Sequence, residues 1–75
     1  QVYGLTPENV SKLTAVQVSG LDAYQLNYFN TNQTNALTIE QVQSINDVTL
    51  LGVNGAHIAL IASKLSQHQR DLLQL

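Results

Sequence analysis

Read from Leu5 in steps of eight, the chain gives Leu5, Leu13, Leu21, Phe29, Leu37, Ile45, Val53 and Ile61, all large and apolar. A fixed internal period constrains a fold more than composition does, because it defines the unit that must pack against copies of itself. The residue after each of the first seven is Thr6, Thr14, Asp22, Asn30, Thr38, Asn46 or Asn54. All belong to the set favoured at helix N-caps, whose side-chain oxygen accepts an otherwise orphaned backbone N–H. Ser, Thr, Asp and Asn make up 21 of the 75 residues, so seven consecutive hits by chance have odds on the order of 10⁻⁴. Four residues beyond each apolar position come Asn9, Gln17, Gln25, Gln33, Gln41, Thr49 and His57, and next to these Val10, Val18, Leu26, Thr34, Val42, Leu50 and Ile58. The consensus is Leu-Thr-x-x-Gln-Val-x-x, seen plainly in LTAVQVSG and LTIEQVQS.

The spacing has a physical reason. With Thr14 as N-cap, Gln17 stands at N3, where its side chain can return a hydrogen bond to the cap backbone. Leu13 then sits at N′ and Val18 at N4, the two ends of a hydrophobic staple. Pro7 falls at N1 of its unit, the one helical position where proline fits well. Each octad therefore predicts a helix of about one and a half turns, roughly 9 Å long. One continuous helix is disfavoured, since eight residues overshoot two full turns by about 80° and the apolar column would spiral around the rod. A β-solenoid is disfavoured because the two apolar columns lie an odd number of residues apart, on opposite faces of a strand. The expected fold is all-α: a superhelical solenoid of short capped helices over residues 1–54, closed by one longer capping helix over 55–75.

Two regions depart from the pattern. From about Ala56 the caps stop, and Ile58, Ile61, Leu65, Leu72 and Leu75 fall at helical spacing with His68 filling the gap, which predicts an amphipathic helix of four to five turns with a packed imidazole. The unit FNTNQTNA carries Thr34 where Val is expected, so it should be the loosest repeat. Gln1 and Val2 occupy the Gln and Val columns of an unfinished unit. The array is thus expected to open in mid-repeat, with further repeats or another molecule against residues 1–5.

Composition narrows the function. The net charge is −2 and only 11% of residues are charged; Lys12, Lys64 and Arg70 are scattered, which argues against nucleic acid and anionic membrane surfaces. No apolar run reaches the length of a membrane span. The absence of Cys and Met, with neutral polar surface positions, suits a secreted or cell-surface setting. His57 and His68 lie eleven apart without a carboxylate pair beside them, and no carboxylates cluster as calcium loops require. His57 reads as a substitute cap partner in the Gln column. No catalytic constellation stands out, so a non-enzymatic chain without cofactor or metal is expected. Tyr3, Tyr24 and Tyr28 fall outside the core columns, and exposed tyrosines favour protein interfaces. With Gln1 and Val2 of the open end they form the expected partner-binding set. Asn9-Val10-Ser11 and Asn32-Gln33-Thr34 fit the N-glycosylation pattern, Asn32 being the better placed; about one such match is expected by chance at this composition.

The octads LTAVQVSGL and LTIEQVQS resemble the tandem Leu-Thr-x-x-Gln-Val units of large secreted, adhesin-like bacterial proteins. LTPENVSKL resembles, more weakly, the octads of the mesothelin, stereocilin and otoancorin family, without that group's cysteines and denser prolines. Both resemblances cover roughly residues 1–61, and both imply an extracellular structural or adhesive role with no catalytic residues to transfer. The expected function is a secreted structural or adhesive module acting through contacts with copies of itself or another surface protein. The competing expectation is a recognition module from a larger surface protein, toxin or receptor. The capping frame further predicts helix starts at Thr6, Thr14, Asp22, Thr38 and Asn46 with Leu13, Leu21, Leu37 and Ile45 buried; extended strands over these segments, seen by NMR, would contradict it.

Overall fold

Helix starts follow the cap column. The computed structural model describes residues 6–75; Gln1, Val2 and Tyr3 of the expected partner set, and Leu5 of the apolar column, lie outside them. The described residues form eight short α-helices, one 3₁₀ turn and no strand: α1 (Pro7–Ser11), α2 (Ala15–Ser19), α3 (Ala23–Tyr28), α4 (Thr31–Asn35), α5 (Ile39–Gln43), α6 (Asp47–Gly52), α7 (Gly55–Ile61), the 3₁₀ turn Ala62–Lys64, and α8 (Gln67–Leu73). Thr6, Thr14, Asp22, Asn30, Thr38, Asn46 and Asn54 are the N-caps of α1 to α7, each accepting from the backbone N–H three residues on. Complete capping boxes close α2, α3, α4 and α5 through Gln17, Gln25, Gln33 and Gln41.

Each octad turns its corner without a left-handed residue. The N–H of the next large apolar residue bonds back to the carbonyl of the staple residue, as Leu21 does to Val18 at 3.0 Å and Ile45 to Val42 at 3.1 Å. The chain then extends into the next cap, so any residue type can stand at the corner. Helices three apart pack together: α1 on α4, α2 on α5, α3 on α6 and α4 on α7. The core is the two apolar columns, with Val10, Val18, Leu26, Val42 and Leu50 from one and Phe29, Leu37, Ile45, Val53 and Ile61 from the other. The radius of gyration is 11.0 Å, close to the ~11 Å of a compact domain this long.

Four expectations need correction. The chain beyond Gly55 is not one long helix but α7, a 3₁₀ turn and α8. Ser66 caps α8 and Gln69 completes its box, so Leu65-Ser66-x-x-Gln69 is another repeat unit, displaced by four residues from the octad frame. That restart rotates the presumed stripe: His68 is exposed and pairs with Asp47 at 2.9 Å, while Leu65 and Gln69 take the buried positions. Leu13 and Leu21 are only half-buried, whereas Leu37 and Ile45 are buried; among the described residues, the first layer has helices packed on one side only. The unit expected to be loosest is in the core, with Gln33 and Thr34 at 7% and 3% exposure. The Thr34 hydroxyl donates to the Asn30 carbonyl at 2.9 Å, which satisfies its polar atom within its own helix.

Gly52, the last residue of α6, marks the closest approach between layers. A Cβ there would lie 2.7 Å from the Ala23 Cβ, at the start of α3. Gly52→Ala is expected to destabilise the chain by about 1–3 kcal/mol through overpacking. In urea melts, a Gly52→Ala/Ala23→Gly cycle should show positive coupling. On the same assay Leu37→Ala should cost about 2–5 kcal/mol and Thr38→Ala about 1 kcal/mol; the reverse ranking would contradict the staple-and-core description.

Candidate functional site

Four polar side chains tie successive helix layers together. Gln41 accepts from the Thr38 N–H through Oε1 at 2.8 Å, and its Nε2 donates to the carbonyls of Val10 at 2.8 Å and Leu13 at 2.7 Å, where α1 ends. Gln69 does the same for the end of α5, donating to Val42 and Ile45. Both amides are 2% exposed, a burial that stays inexpensive because every polar atom has a partner. The two remaining ties use other chemistry. His57 places Nε2 2.7 Å from the Phe29 carbonyl; since a carbonyl only accepts, that nitrogen carries the proton. Lys64 Nζ donates to the carbonyls of Asn35 at 2.9 Å and Leu37 at 2.6 Å, where α4 ends.

His57 thus does stand in for the Gln column, with a twist. Its Nδ1 lies against the Asn54 side chain and leaves the Asn54 N–H without a return bond from its own unit. Asn27 of α3 supplies it, accepting from that N–H at 2.9 Å and donating to the Gly52 carbonyl at 3.1 Å. The sequence pattern overlooks Asn27 and Lys64, which sit outside the repeat columns. Gln69 was findable from the displaced Leu-Ser-x-x-Gln unit.

The outer surface is uneven. α1, α4 and α7 stack in one row; α2 and α5 continue into the 3₁₀ turn; α3, α6 and α8 form the third row. Every exposed large apolar side chain among the described residues lies on the second and third rows or at the chain end: Val16 on α2, Ile39 on α5, Tyr24 and Tyr28 on α3, Val48 and Leu51 on α6, and Leu75. Tyr24 and Tyr28 meet edge to face with centroids 5.0 Å apart and their hydroxyls 3.1 Å apart. That hydrogen bond, helped by partial desolvation and the charge of Asp22, raises the Tyr24 phenol above its ordinary value, so it stays neutral in alkaline conditions. Asn9 and Asn32 are exposed on α1 and α4 of the polar row. Gln1, Val2 and Tyr3 are not joined to the tyrosine pair by anything described.

The structure offers little room for a small ligand. A void of about 10 Å³, lined by Leu26, Phe29, Thr34, Leu37, Ile45, Val53, His57 and Ile61, is apolar and at the lower limit for one water. Among the described residues no three metal-ligating side chains converge, and no helix is long and apolar enough to cross a membrane. Comparisons with family models, curated proteins and solved structures find no match to the chain.

The ties are testable apart from the caps. Gln41→Glu keeps an acceptor for the cap but turns an oxygen toward two buried carbonyls, and is expected to cost about 2–4 kcal/mol. Gln17→Glu, at an exposed box without a tie, should stay within about 0.5 kcal/mol. Thr49 occupies the Gln column of α6, where the side chain is too short to reach back. Thr49→Gln is expected to stabilise by about 1 kcal/mol by bonding the Asn46 N–H and the carbonyls ending α2. Urea midpoints of the three variants check the ordering.

Proposed function

We propose that the chain is a superhelical solenoid, three short helices to a turn, that serves as a secreted structural or adhesive module through protein–protein contacts. The stacking of helices three apart and the ties between layers support the solenoid reading. The observation that carries the functional reading is the confinement of exposed apolar side chains to two of the three rows. Val48, Tyr24 and Leu51 stand on stacked helices α3 and α6, 83%, 68% and 59% exposed. Such a face gains from being covered, and Tyr adds hydrogen-bonding capacity at low entropic cost. The α1–α4–α7 row faces solvent in this reading, and Asn9 and Asn32 would carry glycans there if the source attaches them. The net charge of −2 and the sparse cations give nucleic acid no footprint. The neutral polar surface and the absence of cysteine and methionine support the extracellular setting.

The partner is a copy of the chain or another surface protein. Sedimentation velocity from micromolar to millimolar concentration is expected to show self-association that Tyr24→Ser/Val48→Ser weakens while far-UV circular dichroism stays unchanged. A wild-type chain that remains monomeric throughout would remove self-assembly and leave the second reading, a recognition module of a larger surface protein, toxin or receptor, using the same face.

A further inference from the structure

Gln41 and Gln69 show what a glutamine at the third helical position does when a helix layer lies behind it. Gln17 and Gln25 hold the same position, with the same box: Oε1 accepts from the cap N–H at 2.8 Å and 3.0 Å. Their Nε2 atoms, however, have no partner among the described residues. Gln17 is exposed and Gln25 half-buried, against 2% exposure for Gln41 and Gln69. Leu13 and Leu21 beside them are half-buried, whereas the same column is closed at Leu37 and Ile45, 2% and 4% exposed. The α2–α3 edge is therefore half of a layer-to-layer junction, with two amide donors and an apolar strip.

The complementary half lies at the other end. Elsewhere the tied carbonyls come in pairs three residues apart, Val10 with Leu13 and Val42 with Ile45. Leu50 and Val53 form the equivalent pair where α6 ends, and among the described residues no side chain donates to it. Donor and acceptor sets that match within one chain match between two chains, and both are uncharged, so no repulsion opposes them at this edge.

We propose that the α2–α3 edge docks the last helix layer, α6 to α8, of a second copy of this chain. Gln17 and Gln25 donate to helix-end carbonyls there, the Leu50 and Val53 pair among them, and Leu13 and Leu21 become buried. The contact joins unlike surfaces, so it propagates into a ring or an open filament rather than stopping at a two-fold dimer. The proposal rests on the solenoid reading of the fold but not on the tyrosine-bearing face.

The test is Gln17→Glu/Gln25→Glu, which keeps an acceptor for both caps and removes both free donors. Asn32→Asp/Asn35→Asp adds the same two charges on the polar row and controls for repulsion. By sedimentation equilibrium on the full chain, the glutamate pair is expected to weaken association at least about tenfold, with monomer helicity and thermal midpoint unchanged; the aspartate pair is expected to leave association near the wild-type value. Equal association of wild type and the glutamate pair would overturn the proposal, as would a wild type that is monomeric at millimolar concentration, or equal weakening by both pairs. Loss of association in Tyr24→Ser/Val48→Ser alone would place the contact on the lateral face and overturn end-to-end docking while sparing the functional reading.

Discussion

A helix of five residues consists almost entirely of ends. Its first four N–H groups and last four carbonyls have no intrahelical partner, and its nucleation cost exceeds what so few bonds return. The buried glutamine amide resolves both problems with one side chain. Oε1 of Gln41 satisfies the start of α5 while Nε2 satisfies the end of α1, 28 to 31 residues earlier. Removing either half leaves a buried polar group unpaired, at a cost of roughly 1–3 kcal/mol. Cap, layer spacing and register are thereby coupled in a single group.

Apolar columns alone would not impose that register. Leucines and valines pack acceptably over a range of small displacements, because dispersion is non-directional. The tie is directional, accepting only carbonyls at one height of the preceding layer. His57 and Lys64 make the same connection with an imidazole and an ammonium, so the requirement is a donor of sufficient reach rather than an amide. Thr49 fails it by length. Gly52 belongs to the same argument: where α3 and α6 approach most closely, no Cβ fits against Ala23.

Since ties and columns point inward, the outer positions of each octad are free to vary, and their variation differentiates the three rows. Polar residues dominate the outer positions of α1 and α4, while Tyr24, Val48, Leu51, Val16 and Ile39 collect on the other two rows. The ends differ again, one presenting amide donors and the other helix-end carbonyls. Lateral and end-on contacts are therefore chemically distinct, and separate substitutions address them.

The octad period determined by itself that the chain is helical and where seven helices begin, because an N-cap and its partner three residues on act within a single turn and need nothing from the rest of the chain. The staple residues Val10, Val18, Val42 and Leu50 were legible as core for the same reason. The four-residue slip at Leu65-Ser66 was not read, because amphipathic spacing over Ile58 to Leu75 mimics one longer helix and the cap that breaks it lies off the octad frame. The burial of Thr34, the exposure of His68 and the half-exposure of Leu13 and Leu21 depend on which helices lie above and below. The roles of Asn27 and Lys64 depend on carbonyls 25 and 27 to 29 residues away. Stacking at an interval of three helices was decided only by tertiary structure: the local period fixes each corner of the chain, but long-range hydrogen bonds choose which corners meet.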